Sequence, residues 1–140
     1  EIDMSTAKDI LVIDDVRDLV ETLRIVLESK NYEVRAAYDG KEGFSRIQEK
    51  LPDIVILDVM MATDTEGFDL AFKLQNIPQY RDIPILMLTS FPKTMAEEGP
   101  DRFQHILGEG WPTSIFMEKP VDPDKLLTTI EDILKEEDLT

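Results

Sequence analysis

The sequence contains no cysteine, which excludes disulfide bonds, thiolate–metal sites and cysteine nucleophiles. It contains one histidine, His105, and without a second histidine or a cysteine no metal role is expected for it. It also lacks an apolar stretch long enough to cross a bilayer. The first nine residues lack the basic and apolar regions of a secretory signal. These absences fit a cytoplasmic protein.

Basic residues are scarce in this chain of 140 residues. Its 15 lysines and arginines stand against 30 acidic residues, so the formal net charge is −15. Nucleic acid and anionic membrane surfaces are bound by basic clusters, which this sequence does not offer, and neither is an expected partner. The excess of acid favours solubility over a dedicated basic partner. The length suits one compact domain.

Short apolar segments alternate with amphipathic segments along the chain. Residues 10–13 are four consecutive apolar residues, typical of a strand buried on both faces. The segment after them spaces apolar residues by three and four, which predicts a helix. The predicted strands are 8–13, 32–37, 53–58, 83–88 and 113–117, and the predicted helices are 16–29, 40–51, 67–76, 93–107 and 122–136. Five such alternations predict an α/β fold, with helices on both faces of a parallel sheet.

Local signals refine these boundaries. The second strand is less apolar than the others, which places it near a sheet edge. Asp39 and Asp122 precede helical segments and are predicted N-caps. We interpret residues 1–8 as an N-terminal extension whose first three residues, ahead of Met4, fit a cloning remnant, residues 9–137 as the domain and 138–140 as a tail. The expected whole is either a single-domain protein or an excised N-terminal domain.

Polar side chains stand at four of the predicted strand ends. Asp14 and Asp15 follow the first strand, and Asp58 ends the third. Thr89 follows the fourth strand, and Lys119 follows the fifth. Ligands of open parallel sheets bind beyond the carboxyl ends of the strands. We therefore expect three carboxylates, a hydroxyl and an ammonium group to converge on one edge of the sheet.

This set of groups suits a metal ion and a phosphoryl group. Clustered carboxylates repel one another unless a cation neutralises them, and oxygen ligands with an incomplete shell favour Mg2+, for which Mn2+ is an expected substitute. Lys119 can pair with a carboxylate or a phosphate oxygen, and the Thr89 hydroxyl can donate to a phosphoryl oxygen. Asp58, on the inner strand, is the natural acceptor for an aspartyl-phosphate.

The motifs together resemble the receiver domains of two-component response regulators. They match at residues 13–15, at 57–58 with 60–61 and the later Gly67, at 88–90 and at 119–120. Each motif alone is weak, but all four stand at the correct strand ends, and the resemblance covers about residues 8–136. It implies a flavodoxin-like (βα)5 fold, a doubly wound parallel five-stranded sheet of order 2-1-3-4-5.

The resemblance also implies roles. Asp14 and Asp15 would help to hold the metal, Asp15 more directly, and the backbone carbonyl of Met60 would complete its shell. Asp58 would accept a phosphoryl group from a phosphohistidine on a sensor histidine kinase or a histidine phosphotransfer protein. The domain would thus be a regulatory phosphoacceptor that dephosphorylates itself slowly, and not a turnover enzyme.

The implied output lies on another part of the domain. Thr89 and Lys119 would contact the phosphoryl oxygens, and Phe116 falls at the family's switch aromatic, which turns inward when the threonine moves. Because phenylalanine has no hydroxyl, such a switch would rest on packing alone. The change would be relayed to the face of the fourth helix, fifth strand and last helix, which would bind an unknown downstream protein or a second copy of the chain.

The sequence departs from the family pattern in two segments. The loop after Asp58 is one residue longer and has Ala62 where proline is common; its acids Asp64 and Glu66 are expected to be solvated and not metal ligands. The segment between Thr89 and Lys119 is several residues longer than usual. It predicts either an altered partner surface or a neutral insertion, in which Trp111 covers the core edge or anchors a partner.

Apolar residues also replace those that usually tune hydrolysis. Met60 and Phe91, each two residues after a site residue, cannot orient a water molecule, which leads to the hypothesis of a long-lived phosphorylated state. The alternative function is a pseudo-receiver, an interaction module that works without phosphorylation. A phosphatase of the aspartyl-phosphate type would need an acid at Met60. A flavodoxin-like electron carrier is disfavoured because Asp14 and Asp15 would repel its phosphate.

Overall fold

The computed structural model describes residues 7–59, 61, 66–89 and 114–139. Nine elements lie in these residues. The strands are β1 (Asp9–Ile13), β2 (Glu33–Ala37), β3 (Ile54–Asp58), β4 (Ile85–Thr89) and β5 (Ser114–Glu118). The helices are α1 (Arg17–Glu28), α2 (Gly40–Glu49), α3 (Glu66–Gln75) and a last helix, Pro123–Leu139.

The five strands form one parallel sheet of order β2-β1-β3-β4-β5, which confirms the predicted fold and the edge position of β2. The register aligns the carboxyl ends of the strands. Ile13 pairs with Leu57, Asp58 with Leu88, and Thr89 with Glu118. The residues that follow Ile13, Asp58 and Thr89 therefore leave the sheet at the same edge.

The core consists of two apolar clusters, one on each face of the sheet. In β1, Leu11 and Ile13 belong to the cluster that includes residues of α2 and α3, whereas Ile10 and Val12 belong to the cluster that includes residues of α1 and the last helix. Successive side chains of a strand point to opposite faces, so both faces of β1 are covered. This explains why the strand is apolar throughout and confirms its predicted double burial.

Side-chain caps define two helix starts, as predicted. The Asp39 carboxylate accepts a hydrogen bond of 2.7 Å from the backbone N–H of Glu42. The Asp122 carboxylate accepts one of 3.0 Å from the backbone N–H of Asp124 at the start of the last helix. The predicted end of that helix at residue 136 is wrong, since it continues to Leu139. No glycine or proline follows Pro123, so nothing in the sequence stops it.

Several predictions concern residues outside the described ranges: the fourth helix at 93–107, the Met60 carbonyl, Asp64 and the loop insertion, Phe91, His105 and Trp111. Among the described residues, the helices are all too short or too polar to cross a membrane.

Candidate functional site

Three carboxylates meet at the carboxyl edge of the sheet. Asp14 and Asp15 directly follow β1, and Asp58 is the last residue of its neighbour β3. One oxygen from each carboxylate lies within 4.8 Å of the other two. Asp14 and Asp58 are buried, whereas Asp15 is exposed. The structure therefore brings together the three acids that the strand ends indicated, with Asp15 on the solvent side.

Asp14 is held by hydrogen bonds on both carboxylate oxygens. Oδ1 accepts from the backbone N–H of Val16 at 2.9 Å, and Oδ2 accepts from Nζ of Lys119 at 2.9 Å. Its own N–H donates to the carbonyl of Ala37 at 3.1 Å, which ties it to the neighbouring edge strand. Because its orientation is fixed in this way, Asp14 contributes a placed negative charge to the group.

Lys119 approaches the same group from β5. Its backbone N–H donates to the carbonyl of Thr89 at 2.7 Å, and its Nζ lies 2.9 Å from Asp14 Oδ2 and 3.4 Å from Asp58 Oδ1. Burial alone lowers the pKa of the Lys119 ammonium, but the hydrogen bond and charge of Asp14, together with Asp58, raise that pKa above the ordinary lysine value. Lys119 is therefore protonated at neutral pH.

The charges of the site do not balance. Among the described residues, three carboxylates and one ammonium group meet here, which leaves two negative charges in excess at a place where two of the acids are buried. A hard divalent cation with oxygen ligands restores the balance, and Mg2+ prefers such partial sites, which leave positions for water and phosphate oxygens. The donor set therefore fits Mg2+. The residues that would hold it are Asp15 and Asp58 directly, with Asp14 beside them.

Thr89 and Phe116 lie on the two strands beyond β3. Thr89 is the last residue of β4, partly exposed, and pairs with Glu118 of β5. Phe116 pairs with Met87 in the middle of β5 and is 39% exposed. Its neighbour Met117 packs in the cluster of α1 and the last helix, so Phe116 faces the other side of the sheet. Thr89 thus stands at the edge that carries the acids, and Phe116 lies on an outward-facing position.

Glu66 is not the solvated loop acid that the sequence predicts. It is the first residue of α3, is partly buried, and accepts a hydrogen bond of 2.9 Å on Oε1 from the backbone N–H of Gly40. The free N–H groups at the start of α2 attract a carboxylate, which explains the contact. No local pattern could have revealed it, because the two residues are 26 positions apart.

Replacing Asp58 with asparagine is expected to raise the free energy of unfolding of the metal-free protein by about 1 kcal/mol. The substitution removes one of three clustered negative charges, and Lys119 keeps its shorter contact to Asp14. Urea unfolding in EDTA measures the effect. The wild type should gain stability when Mg2+ is added, by about 2.7 kcal/mol at a hundredfold excess over its dissociation constant, and the variant should lose most of that gain.

An exposed aspartate outside the group serves as the control for this charge effect. Asp82→Asn makes the same chemical change in the turn before β4 and should leave stability unchanged in EDTA and in Mg2+. An Asp58→Asn protein less stable than the wild type in EDTA would show that the three acids do not repel one another in the folded state.

Comparisons with known proteins agree with the geometry. The family model for the response regulator receiver domain matches residues 10–131. The response regulator PleD of Caulobacter vibrioides is 32% identical over 126 residues, 90% of this chain but 26% of PleD. An uncharacterized 14.6 kDa protein of Leptolyngbya boryana is 33% identical over 123 residues, 88% of this chain and 87% of that protein. The structure of the chemotaxis protein CheY4 of Vibrio cholerae superposes with a TM-score of 0.76 at 28% identity, covering 91% of this chain and 99% of CheY4.

Relatives of very different length share this one unit. The chain spans about a quarter of PleD and about half of several transcriptional regulators that it matches, but most of the short Leptolyngbya protein. The matched region includes Asp14, Asp58, Thr89 and Lys119, and the sheet order is the predicted one. On these grounds the chain belongs to the response regulator receiver domain family of two-component signalling.

Proposed function

We propose that this chain is a phospho-accepting switch in which Asp58 takes a phosphoryl group from a phosphohistidine. One observation supports the proposal above the others. The Asp58 carboxylate is buried and lies 3.4 Å from the Lys119 ammonium, within a group of three acids that could hold a cation. Such surroundings balance the charge that a phosphoryl group brings.

The proposed reaction is a transfer between two nucleophiles. A carboxylate oxygen of Asp58 attacks phosphorus, the new O–P bond forms and the N–P bond of the phosphohistidine breaks. The electron pair of that bond stays on the imidazole, which leaves as a neutral group when its other nitrogen carries a proton. Mg2+, when bound, supplies positive charge beside the phosphoryl oxygens.

The residues of the chain do the positioning. In this proposal Lys119 leaves the unphosphorylated Asp58 and pairs with a phosphoryl oxygen, while its bond to Asp14 keeps it in place. The Thr89 hydroxyl, at the end of the neighbouring strand, donates to a second phosphoryl oxygen. Asp15 is the more direct metal ligand, since both oxygens of Asp14 already accept hydrogen bonds. The Met60 carbonyl would complete the metal shell.

The proposed signal leaves through β5. Movement of Thr89 toward the phosphoryl group would open space into which Phe116 packs, and that change would alter the face of β5 and the last helix. The donor is a sensor histidine kinase or a histidine phosphotransfer protein in the cytoplasm, and the receiver of the signal is a further protein or a second copy of this chain. Hydrolysis of the aspartyl-phosphate is slow.

Intact-mass measurement after incubation with acetyl phosphate and Mg2+ tests the proposal. The wild type should gain one phosphoryl group. Asp58→Ala should gain none, because both carboxylate oxygens of Asp14 already accept hydrogen bonds and Asp15 is the more direct metal ligand in this proposal. EDTA should prevent the addition. Asp82→Ala, which removes an exposed carboxylate outside the site, should behave as the wild type.

The opposite outcome is equally informative. No mass increase in the wild type, together with no binding of beryllofluoride, would contradict the switch and favour a pseudo-receiver that binds partners without phosphorylation. A mass increase that survives in Asp58→Ala would place the acceptor elsewhere. Decay of the phosphorylated wild type within minutes would contradict the proposed slow hydrolysis.

A further inference from the structure

We infer that Glu66 is a positioning residue for the cluster of Asp14, Asp15 and Asp58, called here the acid group. It fixes the main chain of Asp58 against α2, and thereby sets the distance between Asp58 and the two acids that follow β1. The inference rests on the proposed function, since it assigns a role within that site. It predicts that a side chain that touches neither the metal nor the phosphoryl group controls the affinity for both.

The first step is the contact between Glu66 and α2. Gly40 is the first residue of α2, so its N–H has no acceptor within the helix. The Glu66 carboxylate accepts from it at 2.9 Å, where the positive end of the helix dipole strengthens the bond. The nearby N–H groups of Tyr38 and Glu42 bond to carboxylates of the same segment, Glu42 and Asp39. Glu66, the first residue of α3, thus places its carboxylate at the start of α2.

The second step is the contact between the start of α3 and the acceptor strand, which is β3 with Asp58 at its end. The N–H of Gly67 donates to the carbonyl of Val59 at 3.1 Å. A Cβ atom on Gly67 would overlap the main-chain oxygen of Asp58 and lie 2.7 Å from that of Val59. Gly67, the residue after Glu66, therefore rests directly on the peptide of the acceptor. A displacement of Glu66 is passed to Asp58 through one peptide unit.

The third step is that α2 is also fixed to β1. Gly43 of α2 packs so closely on Ile13 that a Cβ atom there would lie 2.5 Å from its Cδ1 atom. Asp14 and Asp15 are the next two residues along the chain. Helix α2 is therefore a common support for both halves of the acid group. Its contact with Ile13 holds the β1 acids, and its contact with Glu66 holds Asp58.

Glu42 provides a matched control, because its carboxylate also accepts a hydrogen bond from a backbone N–H beside the start of α2, that of Tyr38 just before the N-cap. Its Oε1 accepts from the backbone N–H of Tyr38 at 3.2 Å, and it does not join α2 to the acceptor strand. If Glu66 acted only as a cap of α2, the variants Glu66→Ala and Glu42→Ala would have the same consequences. If Glu66 positions Asp58, they differ at the acid group.

The experiment is a Mg2+ titration of protein labelled with 15N only at glycine. The chain has 6 glycines, so few amide signals appear, and Gly40 reports on the contact itself. In Glu66→Ala the Gly40 amide proton should exchange faster with solvent. The dissociation constant for Mg2+ should rise about tenfold, and the rate of phosphorylation by acetyl phosphate should fall in parallel. Glu66→Gln keeps an accepting oxygen and should retain most of the affinity. Glu42→Ala should bind Mg2+ as the wild type does.

A second variant removes the donor and leaves Glu66 in place. Gly40→Pro lacks the N–H, while proline is favoured at the first position of a helix and the preceding residue, Asp39, is already extended at φ −156 and ψ 172. It should weaken Mg2+ binding as Glu66→Ala does. The double variant should bind no more weakly than either single variant, because one contact is lost in all three.

The outcomes separate this inference from the proposed function. A wild type that binds no Mg2+ and takes up no phosphoryl group would overturn both. A wild type that does both, with Glu66→Ala equal to Glu42→Ala in its dissociation constant for Mg2+, would overturn the positioning role alone. Additive losses in Gly40→Pro and Glu66→Ala would also overturn it, since the two residues would then act separately.

Discussion

Gly67→Ala is expected to lower the free energy of unfolding by about 3 kcal/mol, at the upper end of the range for overpacking a filled site. The new methyl group would overlap the main-chain oxygen of Asp58 and crowd that of Val59. Both are backbone atoms, one at the end of β3 and one directly after it, and they cannot turn away as the end of a side chain can. Alanine has a higher helix propensity than glycine, so helix propensity alone would make this α3 variant more stable, and the expected loss comes from the overlap. Urea unfolding measures it.

Two other glycines calibrate this result. A Cβ atom on Gly43 would meet the end of the Ile13 side chain, which can change its rotamer, and one on Gly40 would lie 3.3 Å from Oε1 of Glu66. Gly43→Ala and Gly40→Ala should therefore each cost less than Gly67→Ala. Equal losses in all three would show that general helix and packing effects, and not the contact with Asp58, explain the need for glycine at position 67.

The Gly67 variant also has a functional consequence. Because its methyl group displaces the acceptor's own peptide, the fraction that remains folded should bind Mg2+ and react with acetyl phosphate more weakly than the wild type. The measurement is made where the variant is still folded, and unfolding curves fix that temperature. Wild-type affinity in a destabilised Gly67→Ala protein would show that the backbone of Asp58 tolerates the shift.

The sequence was sufficient to predict the features that depend on local pattern and strand order. Apolar runs indicate the strands, and the rule that parallel strands end at one edge predicts that Asp14, Asp58 and Lys119 lie together, as they do in the structure. The caps Asp39 and Asp122 bond to residues two or three positions away, and such contacts are visible in sequence. These predictions required only the periodicity and the polarity of neighbouring residues.

The contact of Glu66 with Gly40 was beyond sequence reasoning for a physical reason. A carboxylate in a loop and a glycine at a turn are each ordinary, and their pairing depends on how α2 and α3 pack. The requirement for Gly67 was visible as a family match, but its cause, the closeness of the Asp58 peptide, follows only from coordinates. Features that join main-chain atoms to distant side chains carry no periodic signal.

The second large effect lies at the opposite edge of the sheet, where Arg35 of β2 binds Asp9 of β1. The guanidinium donates from Nε and Nη2 to the Asp9 carboxylate, with the shortest distance 2.6 Å, and also to the carbonyls of Arg46 and Lys50 at 2.8 Å each. The Asp9 carboxylate is 4% exposed and the Arg35 side chain 22%. The pair therefore joins two strands to the carboxyl end of α2.

Asp9→Ala is expected to lower the free energy of unfolding by about 3 kcal/mol, because it leaves the charge of Arg35 largely buried without its carboxylate. Asp9 is also fixed from the other side, where its N–H donates to Asp53 Oδ2 at 2.7 Å, so the local backbone should persist. Glu33→Ala is the control. Glu33 lies on the same strand as Arg35, and the substitution breaks its contact with Lys50 at the end of α2. Both of these side chains are more than half exposed, so the cost should stay within about 0.5 kcal/mol.

Because Asp9 lies far from the acids, Asp9→Ala tests whether a loss of folding stability by itself weakens Mg2+ binding. Asp14 lies five positions after Asp9, about 16 Å along an extended strand. Asp9→Ala should therefore lose stability while its dissociation constant for Mg2+ is unchanged at temperatures where it remains folded. Asp58→Asn should show the reverse, a more stable metal-free fold with weakened metal binding. If Asp9→Ala weakened Mg2+ binding as much as Glu66→Ala, the loss in both would reflect a general loosening of the sheet, and the specific anchoring of Asp58 through α2 would be wrong.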